Sequence, residues 1–175
     1  MEHILIVYYS RKGENYFGGS IRNISKGNTA YVAEFIQKAV GGDLFEIDTI
    51  KPYSADYNTC TEEAQAELQA NARPELKEYL DDLEGYDTVF VGYPNWWGTC
   101  PMAVFTFLEH YDLTGKRIIP FCTNEGSGMG NSELDLRRIC VEAKVEKGLA
   151  ITGSKAAASE KKVRNWAKSF CSKDK

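Results

Sequence analysis

Ile4-Leu5-Ile6-Val7-Tyr8-Tyr9 is an unbroken apolar run near the start of the chain. It is too short for a free-standing helix and is rich in residues that favour strands. Apolar residues without polar alternation mark a strand buried on both faces, as in parallel sheets. Parallel neighbours are joined by crossovers that return over a face of the sheet, so this strand calls for helices on both sides. Further strand signals follow at Thr88 to Gly92, Ile118 to Cys122 and Val145 to Ile151. Asp43 to Asp48 alternates apolar and acidic residues and reads as a strand nearer an edge. Pro120, lacking an N–H, argues against a central position for the fourth strand.

Helical periodicity fills the intervals. Ala30, Ala33, Ile36 and Val40 form an apolar stripe from Thr29 onward, ended by Gly41-Gly42. Ala64, Leu68 and Ala72 mark a helix over 59–72, and Leu76, Tyr79, Leu80 and Leu83 another over 74–83, with Arg73-Pro74 between them. Helices are also expected from Pro101 to about His110, around Leu134, Ile139 and Val141, and from Ser159 to Phe170. Ser172 to Lys175 is expected to fray. The expectation is one α/β domain over 1–175, with a five-stranded parallel sheet of order 2-1-3-4-5 wound by helices on both faces.

Composition narrows the function. A net charge of -4 and a pI near 5.3 disfavour a nucleic-acid surface and suit a basic protein partner. No run approaches the ~20 apolar residues that span a bilayer, and the first apolar run has no basic segment before it, so a cytoplasmic protein is expected. The five cysteines are odd in number, with no Cys-x-x-Cys pair, which argues against a sequence-evident zinc or thioredoxin motif and fits a reducing compartment.

Ligands of such sheets bind outside the carboxyl ends of the strands, at a switch in strand order. Three loops reach that place. After strand three, Tyr93-Pro94-Asn95-Trp96-Trp97-Gly98-Thr99-Cys100-Pro101 puts two indoles on a strand-to-helix turn. A flat conjugated ligand would cover them; the alternative is one indole in the sheet–helix seam and the other on the surface. After strand one come Ser10 and, later, Gly27-Asn28-Thr29-Ala30 at a helix amino terminus, where free amides and hydroxyls suit a phosphate. Asn28 as a plain helix cap is the alternative. After strand four, Thr123-Asn124-Glu125-Gly126-Ser127-Gly128-Met129-Gly130 lets backbone approach a ligand, or is a flexible turn. Its spacing does not match the dinucleotide fingerprint.

Taken together, Tyr8-Tyr9-Ser10, Gly27-Asn28-Thr29, Pro94-Asn95-Trp96-Trp97-Gly98 and Thr123-Asn124-Glu125-Gly126-Ser127-Gly128 resemble the flavodoxin family over essentially the whole chain. The resemblance implies a flavodoxin-like fold and an FMN cofactor. It implies that Ser10, Asn28, Thr29 and Ala30 hold the phosphate, with Arg11, Lys12 and Lys26 as candidate cations beside it. Pro94, Asn95, Trp96, Trp97 and Gly98 would line one side of the isoalloxazine, and Thr123, Glu125, Gly126, Ser127 and Gly128 the other. The chain departs from the compact family pattern by an insertion, 11–26, and an expansion, 52–84. Tyr16 and Phe17 in the insertion are read as pinning the loop rather than covering the flavin. The expansion is read as a helical cover or a thicker flank. The fifth strand lacks a long interruption, as in the short-chain kind.

The resemblance implies a low-potential electron-transfer protein, a monomer or weak dimer working with redox protein partners. The alternative is an FMN-dependent NAD(P)H:quinone or flavin reductase. Trp96 or Trp97 together with Glu125 is expected to lower the flavin potential, and a peptide near Gly98 or in the glycine loop to hydrogen-bond flavin N5. A phosphoreceiver would need an Asp at the end of strand three, and a phosphatase a Cys in the first loop; neither is present. His3 and His110 read as solvated rather than catalytic, and Cys100 and Cys122 as apolar filler.

Overall fold

A computed structural model describes residues 2–171, so the expected fraying of Ser172 to Lys175 lies outside the described residues. Its centre is β1 (Ile4–Tyr8), every residue of which is buried. Alternate side chains serve opposite layers. Leu5 and Val7 join one core with Val89, Val91 and Tyr93, while Ile4, Ile6 and Tyr8 join the other with Phe90, Ile119 and Phe121. The apolar run is continuous because both faces are covered.

After β1 the chain makes an exposed hairpin, β2 (Gly13–Phe17) and β3 (Ser20–Ile24), before α1 (Asn28–Val40) and β4 (Asp43–Glu46). Then come α2 (Tyr57–Gln69), β5 (Thr88–Pro94), α3 (Met102–Glu109), β6 (Arg117–Asn124) and α4 (Ser132–Ile139). The chain closes with β7 (Lys144–Val145), β8 (Leu149–Thr152), a 3-10 helix (Gly153–Ala158) and α5 (Glu160–Lys168). The main sheet is parallel in the order β4-β1-β5-β6, with β7 and β8 each beside β6. With β7 and β8 taken as one interrupted fifth strand, this is the expected 2-1-3-4-5 order, a flavodoxin-like α/β fold. Among the described residues, no helix is long and apolar enough to cross a membrane.

Pro120 accounts for the interruption. Even-numbered residues of β6 direct their backbone groups to the fifth strand: the Lys116 and Ile118 carbonyls accept from the Lys144 and Glu146 amides. Odd-numbered ones face β5, where Arg117 donates to the Asp87 carbonyl and Thr123 accepts from Asn95. Proline at position 120 thus withholds an N–H from the fifth strand, and pairing lapses between Val145 and Leu149. The strand expected over 145–151 is two short pieces, yet β6 has neighbours on both sides.

Two further expectations are corrected. Residues 74–83 form no helix: Ile50 donates to the Glu75 carbonyl and Lys77 to the Asp48 carbonyl, and Thr49 bridges Leu76 in antiparallel fashion. Pairing with the chain beyond β4 sets Leu76 in the core, and Leu83 is buried as well, without helical periodicity. In α4 the core contacts come from Leu136 and Ile139, with Cys140 at its end, whereas Leu134 and Val141 are exposed.

Candidate functional site

A crevice of about 440 Å³ opens at the carboxyl ends of β1, β5 and β6. One wall is the start of α1. Its N-cap is Gly27, which has no side chain to cap the helix, and the Ser10 Oγ does so from the end of β1 by accepting from the Ala30 amide at 3.1 Å. Ala30 is the third helical residue, which an N-cap side chain ordinarily serves. A Cβ on Gly27 would lie 2.0 Å from that Oγ and 2.8 Å from the Arg11 carbonyl oxygen, so the capping serine requires glycine here. Asn28 and Thr29 line the crevice at the positive end of the helix, and Thr29 Oγ1 is 2.8 Å from Thr123 Oγ1, fastening α1 to β6.

The tryptophan turn forms the second wall. Trp96 and Thr99 exchange backbone hydrogen bonds at 3.0 and 3.3 Å, and Trp97 and Gly98 between them have φ of 56° and 85°. Consecutive positive φ values are the pattern of a type I′ turn, which glycine adopts freely and a bulky residue does not. The strained Trp97 is 52% exposed, and its indole N–H donates to the Thr61 carbonyl of α2 at 2.8 Å. Trp96 instead packs inward, edge-on to Tyr9 and Tyr53 at centroid distances of 5.1 and 5.0 Å. Trp96 thus fills a seam, as one reading of the indole pair had it, while both residues line the crevice.

Asn95 joins this turn to the third wall. Its Oδ1 accepts from the Gly98 amide and its Nδ2 donates to the Gly128 carbonyl, both at 2.8 Å. Asn124 Oδ1 accepts from the Gly126 amide at 2.8 Å and shapes the glycine loop. The Glu125 carboxylate accepts from the Ser154 amide at 2.9 Å, at the start of the 3-10 helix. Gly153 leaves the space between them open, since a Cβ there would meet Asn28 Nδ2 at 2.6 Å and Glu125 Oε1 at 3.1 Å.

The insertion and the expansion complete the enclosure. Arg11 donates from Nε to the Glu14 carbonyl and from Nη2 to the Ser54 carbonyl, both at 2.9 Å, and the Glu14 carboxylate accepts from the Tyr57 amide at 3.3 Å. These bonds tie the hairpin to the start of α2, which turns Tyr57, Cys60, Thr61 and Ala64 toward the crevice. The helix is capped by Asp56, whose carboxylate accepts from the Thr59 amide and hydroxyl and is held below the usual carboxylate range by them. Burial raises the Tyr57 phenol and the Cys60 thiol above their ordinary values, so both remain neutral near pH 7 despite the nearby Arg11 charge.

Of the residues expected at the site, Asn28, Thr29, Pro94, Asn95, Trp96, Trp97, Thr123, Glu125 and Ser127 share this lining. Ser10 and Ala30 stand behind it, engaged with each other. Lys12 is exposed outside the lining, and its charge acts on Glu46. Gly98, Gly126 and Gly128 shape loops rather than face the crevice. Gly98 donates its amide to Asn95 at 2.8 Å and receives the Asn131 amide on its carbonyl at 2.6 Å. Tyr16, expected to pin its loop, lies 45% exposed on the lining, and pinning falls to Arg11 and Glu14. Asn15, Tyr57, Cys60, Thr61, Ala64 and Gly153 also line the crevice. The helical period around Ala64 was visible, but nothing local shows that its inner face meets the tryptophan turn.

The sequence profile of the flavodoxin family matches residues 18–170. The chain belongs to the flavodoxin family. A relative of known structure is a candidate flavoprotein from Bacteroides eggerthii, with 31% identity, 99% of this chain and 100% of that one covered, and a TM-score of 0.78. A similar protein from Bacteroides uniformis shares 30% identity over 95% of this chain and 98% of that one, at a TM-score of 0.76. The fold is also that of a flavoprotein from Lactobacillus acidophilus solved in complex with FMN, at 22% identity, 90% and 98% coverage and a TM-score of 0.65. No curated protein matches the sequence.

Proposed function

We propose that the crevice binds FMN and that the protein carries electrons between redox proteins at low potential. The observation that carries this reading is the convergence of the α1 amino terminus, the tryptophan turn and the β6 glycine loop on one crevice in a flavodoxin-family chain. The residues present fit the cofactor. Its phosphate suits the polar end at Asn28 and Thr29, where helix amides and the dipole favour an anion, with the Arg11 guanidinium also on the lining. Its ring system suits the end lined by Trp96, Trp97, Tyr57 and Tyr16. When bound, FMN supplies reversible one- and two-electron chemistry; the protein orients it and sets its electrostatic surroundings.

Ser10, Thr29, Thr123 and Asn95 hold the three walls in register, which fixes where a ring and a phosphate sit. Glu125 places a carboxylate on the lining, held by Ser154, where it disfavours extra negative charge in the crevice. The partner expected for the carrier is a basic protein surface. Residues 56–87 hold ten acidic and two basic side chains, and α2 within that stretch borders the crevice.

A second reading, an FMN-dependent NAD(P)H reductase, draws support from α2 itself, since a helix over the crevice makes a wall for a small second substrate. Steady-state oxidation of NADH and NADPH with a benzoquinone, set beside stopped-flow electron exchange with a basic redox protein such as cytochrome c, separates the two. The carrier gives fast exchange that slows with salt and only slow nicotinamide turnover. Fast turnover with slow exchange would replace the carrier by the reductase.

A further inference from the structure

Trp96 is one corner of a ring cluster whose other members, Tyr9 and Tyr53, have no part in the function proposed above. Its indole meets Tyr9 at 5.1 Å and Tyr53 at 5.0 Å, both edge-on, and the two tyrosines meet at 6.2 Å. Trp96 lines the crevice. Tyr53 lines a second cavity of about 490 Å³, together with Lys51, Glu63 and Glu67. The Tyr53 hydroxyl donates to Glu67 Oε1 at 2.5 Å. A chain of oxidisable rings thus runs from one cavity to the other and ends on a phenol with a carboxylate at its hydroxyl.

Electron tunnelling decays exponentially with distance, so rings in contact are strongly coupled. Tryptophan can lose an electron and persist as a radical cation. Oxidised tyrosine is a strong acid, and its oxidation is easy only where a base takes the phenolic proton with the same step. Glu67 is placed for that transfer. Burial raises its carboxyl above the ordinary range while the bond from Tyr53 lowers it, which makes it a better proton acceptor than an exposed carboxylate. Tyr9 feels the Asp48 and Glu67 carboxylates through their charge, and burial raises its phenol.

We propose that Trp96, Tyr53 and Glu67 form a proton-coupled relay that drains oxidising equivalents from the crevice to the second cavity. In the first step Trp96 gives one electron to a light-excited flavin bound in the crevice; the flavin is reduced by one electron and Trp96 is left as a radical cation. In the second, one electron passes from Tyr53 to Trp96 and the phenolic proton passes to the Glu67 carboxylate. Trp96 is restored, and a neutral tyrosyl radical stands beside a carboxylic acid. A small soluble one-electron reductant of the ascorbate class, entering the second cavity, returns the electron, and the proton moves back from Glu67 to Tyr53. The relay gives the 52–84 expansion a task in the chemistry of the crevice. Its link to light-excited FMN rests on the cofactor reading above, while the tyrosine end does not.

The test is flash photolysis read by transient absorption and electron paramagnetic resonance. In one arm bound FMN is the light-driven oxidant; in the other, apo-protein is oxidised by photogenerated tris(bipyridyl)ruthenium(III). Wild-type protein is expected to give a tyrosyl signal in both arms, reduced several-fold in Tyr53→Phe and unchanged in Tyr9→Phe. Glu67→Gln is expected to lower the tyrosyl yield several-fold and to change the solvent deuterium isotope effect on its formation. Trp96→Phe is expected to suppress the signal in the FMN arm. A tyrosyl signal in Tyr53→Phe equal to wild type, in either arm, overturns the relay. Failure to retain FMN strikes the cofactor reading, and the ruthenium arm still decides whether Tyr53 and Glu67 form the end of the relay.

Discussion

At the scale of single residues, the crevice depends on two positions where ordinary rules of local structure are broken. Gly27 is a cap without a side chain, and Ser10, seventeen positions earlier, supplies the missing oxygen. Ser10→Ala is expected to lower unfolding free energy by about 1 kcal/mol, the usual effect of losing an N-cap oxygen. Gly27→Ala is expected to cost about 1–3 kcal/mol, because its Cβ would displace that serine and crowd the Arg11 carbonyl. Urea denaturation measures both, and an unchanged midpoint in Gly27→Ala would contradict the described packing. Trp97 is the second position. A bulky residue at φ 56° stores about 1–3 kcal/mol of backbone strain, and Gly98 beside it stores none. Trp97→Gly is expected to preserve or raise the thermal midpoint while weakening FMN binding roughly 2- to 10-fold, the worth of one aromatic contact. Isothermal titration checks the affinity; unchanged binding would remove Trp97 from the cofactor site.

At the scale of elements, α2 and the hairpin stand or move together, since Arg11 and Glu14 bind the segment that starts the helix. Asp56 caps α2 more strongly when ionised, and its carboxyl is held below the ordinary value by Thr59. Its contribution is therefore present above the ordinary carboxyl range and is lost as pH falls through the depressed value. Asp56→Ala, which removes the accepting oxygen, is expected to speed amide hydrogen exchange in the first turn of α2 and to make that exchange less dependent on pH in the acid range. Identical protection in both proteins would show that tertiary contacts alone hold the turn. The hairpin and the facing of α2 were the hardest features to read from sequence. The hairpin has no buried face to impose strict alternation, although Gly18-Gly19, with φ of 62° and 98°, supplied a turn signal between its strands. Leu76, Tyr79, Leu80 and Leu83 have helical spacing, but backbone pairing of 75–77 with 48–50 overrides it. Tyr57 and Thr61 face the crevice through a contact distant in sequence, which no local pattern encodes.

At the scale of the whole molecule, the parallel sheet and the three converging loops were legible because burial on both faces leaves an unbroken apolar record, as in β1 and Val89 to Val91. The lapse in the fifth strand was legible only in its cause, Pro120, whose missing N–H weakens a neighbour rather than its own strand. Global stability carries an alkaline limb. Burial pushes Cys122 and Cys140 up to about 12 from 9.0, and burial pushes Tyr8 up to about 12 from 10.0. Tyr86 rises to about 12 chiefly through its bond to Asp43. The folded state holds these protons more tightly than the unfolded chain. Their stabilisation is complete below the ordinary values and is lost as pH rises from about 9 toward about 12. The thermal midpoint is expected to fall over that range, and less steeply in Tyr86→Phe; a flat profile would contradict the assignment.

The most direct measurement is a titration of apo-protein against FMN and, in parallel, riboflavin, followed by flavin fluorescence. The account predicts saturable quenching at one FMN per chain, with riboflavin bound roughly tenfold or more weakly for want of the phosphate that the α1 amino terminus receives. FMN fluorescence that stays unquenched, or riboflavin that binds as tightly as FMN, would contradict it.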